Sequence, residues 1–289
     1  MSSTTYQASK VERNYQSFPG SQYILPSDDI ERQRQVFRLA LQHKVLKTAY
    51  DGRLIFPPVQ IPAGANILDS GTGSGTWIMD VRDEVPEDAT LLGIDIEARM
   101  FPPPDERMNF MIQSVTSLPP DWDNKFALVN QRLLIAGLTV SEWGTALREI
   151  YRILTPGGFV QLGEIRARFS GGPVTERQSA MLAALFEKKG LFIECAKHLP
   201  VLMKEAGFIN VRTEEKVIEI GKWAGPAGEE ARDNFIGVFR GLEKPSVMTG
   251  LATSAEYEEL MENLEREWDE VTDSKTDFYV FHAQKPLIV

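Results

Sequence analysis

Short apolar runs alternate with longer segments in which apolar positions recur every three or four residues. Residues 65–68, 90–96, 109–115 and 126–130 are runs of strand length. Near-continuous apolar character of that kind suits parallel strands covered on both faces. Residues 141–154 place Trp143, Leu147, Ile150 and Tyr151 on one side of a predicted helix. Pro156, Gly157 and Gly158 then form a turn into a fifth strand at 159–163. Helix and strand alternate up to Gly163, which predicts a doubly wound α/β sheet. Beyond it the pattern predicts helices over 175–189, 199–206, 229–242 and 254–270, with Gly207 closing the second. Strands are expected over 211–221 and 277–284. At the other end, residues 1–22 are polar and expected to be flexible. Ser27 or Asp28 caps a helix beginning near Asp29, whose Val36, Phe37, Leu39, Ala40, Val45 and Leu46 predict one buried face.

Composition narrows the function classes. The chain has 289 residues, 43% of them hydrophobic, enough for one large domain with insertions. Its net charge is −10 and no basic cluster stands out, so no nucleic-acid partner is expected. Cys195 is the only cysteine and His43, His198 and His282 are scattered, so no disulfide and no metal site are expected. The sequence shows no apolar run of membrane length, and a cytoplasmic protein is expected.

The candidate chemistry begins in the stretch from Ile67 through Trp77. A buried strand runs into Asp69 and then a turn carrying Gly71, Gly73 and Gly75, the arrangement of a nucleotide-type site at the end of a first strand. It is not a phosphate-gripping loop, because no Gly-Lys-Ser/Thr closes it. The spacing G-x-G-x-G also departs from the dinucleotide fingerprint, and a catalytic Tyr-x-x-x-Lys pattern is missing from the second half. Asp69 would repel a pyrophosphate and attract an ammonium. S-adenosylmethionine carries such an ammonium. Asp95 ends the second strand, twenty positions beyond Gly75, where an acid can accept hydrogen bonds from a ribose diol.

With these motifs the chain resembles a class I S-adenosylmethionine-dependent methyltransferase. Asn130-Gln131-Arg132-Leu133-Leu134, Trp143 and the segment from Tyr151 through Glu164 are similar to the fungal secondary-metabolism branch. That branch includes the gliotoxin-pathway methyltransferases and the velvet-associated regulator of secondary metabolism. The resemblance covers residues 23–286 and implies a seven-stranded Rossmann-like sheet of order 3-2-1-4-5-7-6, with strand 7 antiparallel. It implies S-adenosyl-L-methionine as cofactor, held by Asp69, Gly71, Thr72, Gly73, Gly75, Asp95 and Ile96, with Asn130, Gln131 and Arg132 near the methionine portion. Tyr23 and a lid helix within 23–51 would cover it. Ser114 stands where relatives often carry an aspartate for the adenine amino group, so Ser114 and Val115 are expected to act through shape and main chain.

The methyltransferase domain would span 23–289, with helical insertions at 166–197 and 223–273 forming the substrate region. Phe169, Met181, Phe186, Phe192, Trp223, Phe235, Phe239 and Met248 are its candidate lining. The partner implied is a small-molecule acceptor, apolar and methylated on N, O or S, with a thiol or amine of a diketopiperazine-type compound as one form. Glu164 is the best-placed carboxylate for a base, but no residue must be one, and catalysis by positioning is expected. The alternative is a methyltransferase-like regulator that works through protein partners.

Overall fold

A computed structural model of the chain describes Pro19, Ile24 and residues 29–287. Expectations for the rest of 1–28, including Tyr23 and the Ser27 or Asp28 cap, fall outside the described residues. Strands β1 (Asn66–Ser70), β2 (Thr90–Asp95), β3 (Met108–Ile112), β4 (Phe126–Arg132), β5 (Leu154–Ser170), β6 (Ile209–Glu219) and β7 (Lys275–Gln284) make one sheet. Its order is β3-β2-β1-β4-β5-β7-β6. β1 to β5 pair in parallel, and β7 is antiparallel to both its neighbours. This is the topology implied by the resemblance.

Alternation along the central strands divides their side chains between two cores. Ile67, Leu91, Leu128 and Phe159 pack with Trp77, Ile78 and Val81 of the short helix α2 (Thr76–Val81). Leu68, Ile94, Val129 and Val160 face the other way, onto Trp143, Leu147 and Ile150 of α3 (Val140–Ile153). The apolar stripe of α3 is therefore what locks it to the sheet.

β5 runs well past the predicted 159–163. Ile165, Ala167 and Phe169 continue a two-residue period with Arg166 and Arg168 between them, and the strand keeps pairing with β7 as far as Ser170. Pro156, Gly157 and Gly158 lie inside the strand rather than before it; Gly157, at φ +81°, donates to the Lys285 carbonyl at 3.0 Å.

The remaining helices are α4 (Pro173–Lys189), α5 (Cys195–Glu205), α6 (Gly225–Gly241), α7 (Glu243–Met248) and α8 (Ser254–Glu270). Phe169 joins them to the sheet, meeting Phe235 and Phe239 of α6 edge-on and stacking on Trp268 of α8.

α1 (Asp29–Ala49) departs from its predicted pattern. Val45 and Leu46 are buried, but Val36 and Ala40 are exposed and Phe37 is 74% exposed. The buried side instead carries Gln35 and His43. The physical reason is its position: Gln35 faces a cavity and His43 meets Asp80 of α2 at 2.9 Å, so these inward positions call for polar side chains.

α3 and α8 each begin with a capping box, at Thr139 and Thr253. Thr253 accepts from the Glu256 N–H at 3.3 Å, and the Glu256 carboxylate accepts from the Thr253 N–H at 2.8 Å. Thr253→Ala should lower the unfolding free energy by about 1 kcal/mol in urea titrations; an unchanged midpoint would show that this cap does not hold α8.

Candidate functional site

Strand register builds the site. β1 and β4 align Asp69 with Asn130 and Ser70 with Gln131, and β5 aligns Gln161 with Asn130. On one face of the sheet this makes a lateral hydrogen-bonded row. Asn130 donates to Asp69 at 2.6 Å, Gln161 donates to Asn130 at 2.8 Å, and Gln161 also donates to the Leu54 carbonyl at 2.9 Å. On the other face Ser70 donates to Gln131 at 3.2 Å. The second oxygen of Asp69 accepts from the Thr72 hydroxyl at 2.7 Å, which ties the glycine turn to the row.

The turn itself is shaped by backbone that only glycine adopts freely. Gly71 and Gly73 have φ of +68° and +53°, and a Cβ on Gly71 would come within 2.7 Å of Leu134. The Gly73 N–H donates to Asp95 at 2.9 Å, and Asp95 also accepts from the Glu97 N–H at 3.1 Å. β2 therefore holds the turn from one side and β4 from the other.

A cavity of about 330 Å³ opens above this frame. Asp69, Gly71, Thr72, Gly73, Asp95, Ile96, Ser114, Val115 and Arg132 all lie on its wall. Gly75 does not; it is the left-handed N-cap of α2, packed on Pro102 and Phe110. Asn130 and Gln131, expected beside a methionine portion, are 1% exposed and sit behind the wall. The Asn130 amide nitrogen donates to Asp69, and the Gln131 amide oxygen accepts from Ser70. Tyr23 lies outside the described residues. The Ser114 hydroxyl is engaged with Thr116 at 2.8 Å.

Several wall residues carry no motif. Gln35, Arg38, Leu39 and Gln42 of α1 line the cavity at i, i+3, i+4 and i+7. That spacing is visible in the sequence, but three of the four are polar and a search for apolar periodicity passes over them. Glu97 follows Asp95 on the wall, and the turn after β4 contributes Leu133 to Gly137. Leu133 adopts φ +58°, costly for a residue with a side chain. The next two N–H groups, of Leu134 and Ile135, donate to the Glu164 carboxyl at 2.8 and 3.4 Å. Glu164 is thus committed to the main chain below the cavity and does not line it.

The far end of the cavity is apolar. Phe169, Leu182, Phe186, Phe235, Phe239 and Leu242 form it, so both insertions contribute. Met181, Phe192, Trp223 and Met248 lie elsewhere, and Met248 is 71% exposed.

Electrostatics distinguish the acids. Burial raises the pKa of Asp69, an effect opposed by the nearby Arg132 charge and its two hydrogen bonds. Loss of solvent pushes Asp95 up to about 6, with the Gly73 and Glu97 N–H groups acting against it. Burial pushes Glu164 to about 8 despite its main-chain donors. Desolvation also lowers the pKa of Arg132 and of His43. Among the described residues no cluster of His, Cys, Asp and Glu could hold a metal ion, and no helix is long and apolar enough to cross a membrane.

One wall thus offers a carboxylate suited to a diol, a guanidinium suited to an anion and apolar side chains suited to a flat ring. Ser74 adds a hydroxyl in a cavity-lining position, 5% exposed and without a hydrogen-bond partner among the described residues. This set fits an adenosyl amino acid, and the sheet order is the one such methyltransferases use. A family model described as "Methyltransferase domain" matches residues 67–158. Over 285 residues the chain is 31% identical to N-methyltransferase sirN of Leptosphaeria maculans, covering 93% of this chain and 97% of the relative. It is 31% identical to N-methyltransferase gliN of Aspergillus fumigatus, covering 75% and 79%. The secondary metabolism regulator laeA of Fusarium oxysporum is 25% identical over 95% of this chain and 90% of its own. The chain belongs to this family of S-adenosylmethionine-dependent methyltransferases.

The protonation of Glu164 gives a direct test of its structural role. A carboxyl whose pKa is raised from 4.5 to about 8 on folding adds stability that is full below the lower value and fades as pH rises through the upper one. Glu164→Gln keeps an acceptor for the Leu134 N–H and cannot ionise. Its melting temperature relative to wild type should therefore climb between pH 5 and about 8 and then level off. A difference independent of pH would contradict a neutral Glu164.

Proposed function

We propose that this chain methylates a nitrogen of an apolar small molecule of fungal specialised metabolism. The observation that carries the reading is a single cavity lined by Asp69, the glycine turn, Asp95 and Arg132 and also by Phe169, Phe186, Phe235 and Phe239. The N-methyltransferases among its relatives favour nitrogen over oxygen or sulfur as the acceptor atom.

In this reading Asp95 accepts from the ribose hydroxyls, and Ile96, Val115 and the main chain around Ser114 hold the adenine. Arg132 meets the carboxylate of the amino-acid portion and Asp69 its ammonium. Ser74 supplies a further hydroxyl to that portion. The glycine turn lets the ligand approach the backbone. α1 covers the cavity through Gln35, Arg38, Leu39 and Gln42, and Pro19 also borders it. The acceptor occupies the end formed by Phe169, Phe186, Phe235 and Phe239.

A sulfonium supplies an activated methyl group when the cofactor is bound. What the chain contributes is alignment and exclusion of water, and holding two reactants in line is worth about 7–11 kcal/mol in favourable cases. Glu164 is engaged by the main chain and is not offered as the base, so in this reading the methylated nitrogen loses its proton to solvent. A neutral amine, which presents a free lone pair, suits such a site better than an alcohol.

Cofactor recognition is tested by calorimetry with S-adenosylhomocysteine, which should bind where NAD does not. Asp95→Ala should weaken it by about 1.5–3 kcal/mol, the range for hydrogen bonds to a charged group. Because the ionised carboxylate is the better acceptor, wild-type affinity should also fall as pH drops through about 6. Binding of NAD instead, or an affinity untouched by Asp95→Ala, would remove this assignment.

The acceptor is tested by incubating the chain and isotope-labelled cofactor with a panel of apolar amines, alcohols and thiols. Label found on nitrogen in mass spectra supports the proposal, and label found only on oxygen or sulfur contradicts it. Cofactor binding with no transfer to any member would favour the regulator-like alternative, to which the laeA relationship points.

A further inference from the structure

Arg132 leaves the end of β4 and reaches the cavity wall, where its charge faces Asp69. Among the described residues no carboxylate lies within ion-pair distance of it. Its one hydrogen bond among the described residues runs the other way: Nη2 donates to Nδ1 of His43 at 3.1 Å. A guanidinium has only donors, so Nδ1 must be the unprotonated nitrogen of that ring. The proton of a neutral His43 then sits on Nε2, which donates to Asp80 at 2.9 Å. The same Asp80 oxygen accepts from Lys47 at 2.7 Å. The tautomer is fixed by its partners on both sides.

The charged groups around His43 come from three elements. Arg132 belongs to β4, Asp80 to α2 and Lys47 to α1 itself, with Glu84 lying beyond Asp80 and Lys47. From α6, Glu230 is engaged by Lys44 instead. His43 is 8% exposed, and burial followed by the Arg132 charge lowers its pKa. Both the Arg132 donor at Nδ1 and the burial of the ring favour its neutral form.

Resting on the cofactor reading above, we propose that His43 is a positioning residue for Arg132: it holds the guanidinium from behind, so that its remaining N–H groups face the amino-acid end of the cofactor. Cover helix α1 and the carboxylate of the bound cofactor are then joined through a single side chain. Ligand binding stiffens the cover, and the cover organises the ligand site. Protonation of His43 places a second cation and an N–H where Arg132 needs an acceptor, which breaks the link.

Two ligands separate this role from simple structural support. S-adenosylhomocysteine carries the amino-acid group; 5′-methylthioadenosine keeps adenine and ribose but lacks that group. His43→Ala should weaken S-adenosylhomocysteine by about tenfold, the loss of one charge-assisted hydrogen bond, and change methylthioadenosine by less than about twofold. His43→Asn places an amide oxygen near the Nδ1 position and should restore the wild-type ratio of the two affinities. Equal weakening of both ligands, or no weakening of either, overturns the proposal.

A pH series gives a second reading that does not depend on the alanine variant folding. Asp95 titrates against both ligands alike and Asp69 titrates in both chains, so the informative quantity is the affinity ratio in wild type against His43→Asn. Below pH 6.5 that ratio should fall more steeply in wild type, because only there does the acceptor become a donor. Identical profiles in the two chains contradict the role. If wild type binds neither adenosyl ligand, the cofactor reading fails and this inference falls with it, an outcome distinct from an unchanged ratio.

Discussion

The Asp69 carboxylate is the point on which the site depends. One oxygen takes the Asn130 amide and the other the Thr72 hydroxyl, so one side chain joins two parallel strands and the glycine turn. A carboxylate buried to 3% exposure is expensive unless its lone pairs are met. Here the register of β1 and β4 delivers the partner automatically. Loss of Asn130 would leave a buried acid short of a donor and Gln161 with only the Leu54 carbonyl as acceptor. The polar row is therefore a structural commitment that reaches the cavity wall at Asp69 and has Asn130 and Gln161 behind it, and it ties the turn to the sheet.

The cavity has two halves with different origins. The parallel strands and the turns at their carboxyl ends make the polar half, as in other doubly wound sheets. The apolar half belongs to segments added around that sheet: the extension of β5 to Ser170, then α4 and α6. Phe169 is common to both, since it ends the extended strand and packs against Phe235, Phe239 and Trp268. α1 closes the arrangement from outside, anchored by Tyr50 donating to the Phe278 carbonyl at 3.0 Å and by His43 to Arg132. Cofactor geometry can thus stay constant while acceptor preference changes through the added helices.

Much of this was legible in the chain itself. The apolar runs of β1, β2 and β4 and the Asp69 to Gly75 turn point to the sheet and to the cavity floor, because burial on both faces and glycine-only backbone leave a strong local signal. β5 reads shorter from the sequence than it is, since its two-residue alternation after Glu164 includes two arginines and resembles surface sequence. Asn130 and Gln131 read as ligand positions from the sequence because place along a strand does not show that they lie behind Asp69 and Ser70; the strand register shows it. The cavity-facing side of α1 escaped for a related reason. Gln35, Arg38 and Gln42 have helical spacing but no apolar character, and a helix covering a polar ligand inverts the usual pattern. The link from His43 to Arg132, 89 positions apart, has no local signature at all.

In the proposed reading one cofactor spans the glycine turn, the ends of β2 and β3, and the inner face of α1. Hydrogen exchange of the full chain with and without S-adenosylhomocysteine tests it most directly, since slowed exchange reports which backbone segments the ligand holds. Slower exchange is expected over residues 71–76, 95–97, 113–116 and 133–138 and along 35–43, with α8 unchanged. Protection confined to α8 or to the β6 edge, or a pattern that leaves both the turn and α1 as they were, would contradict it.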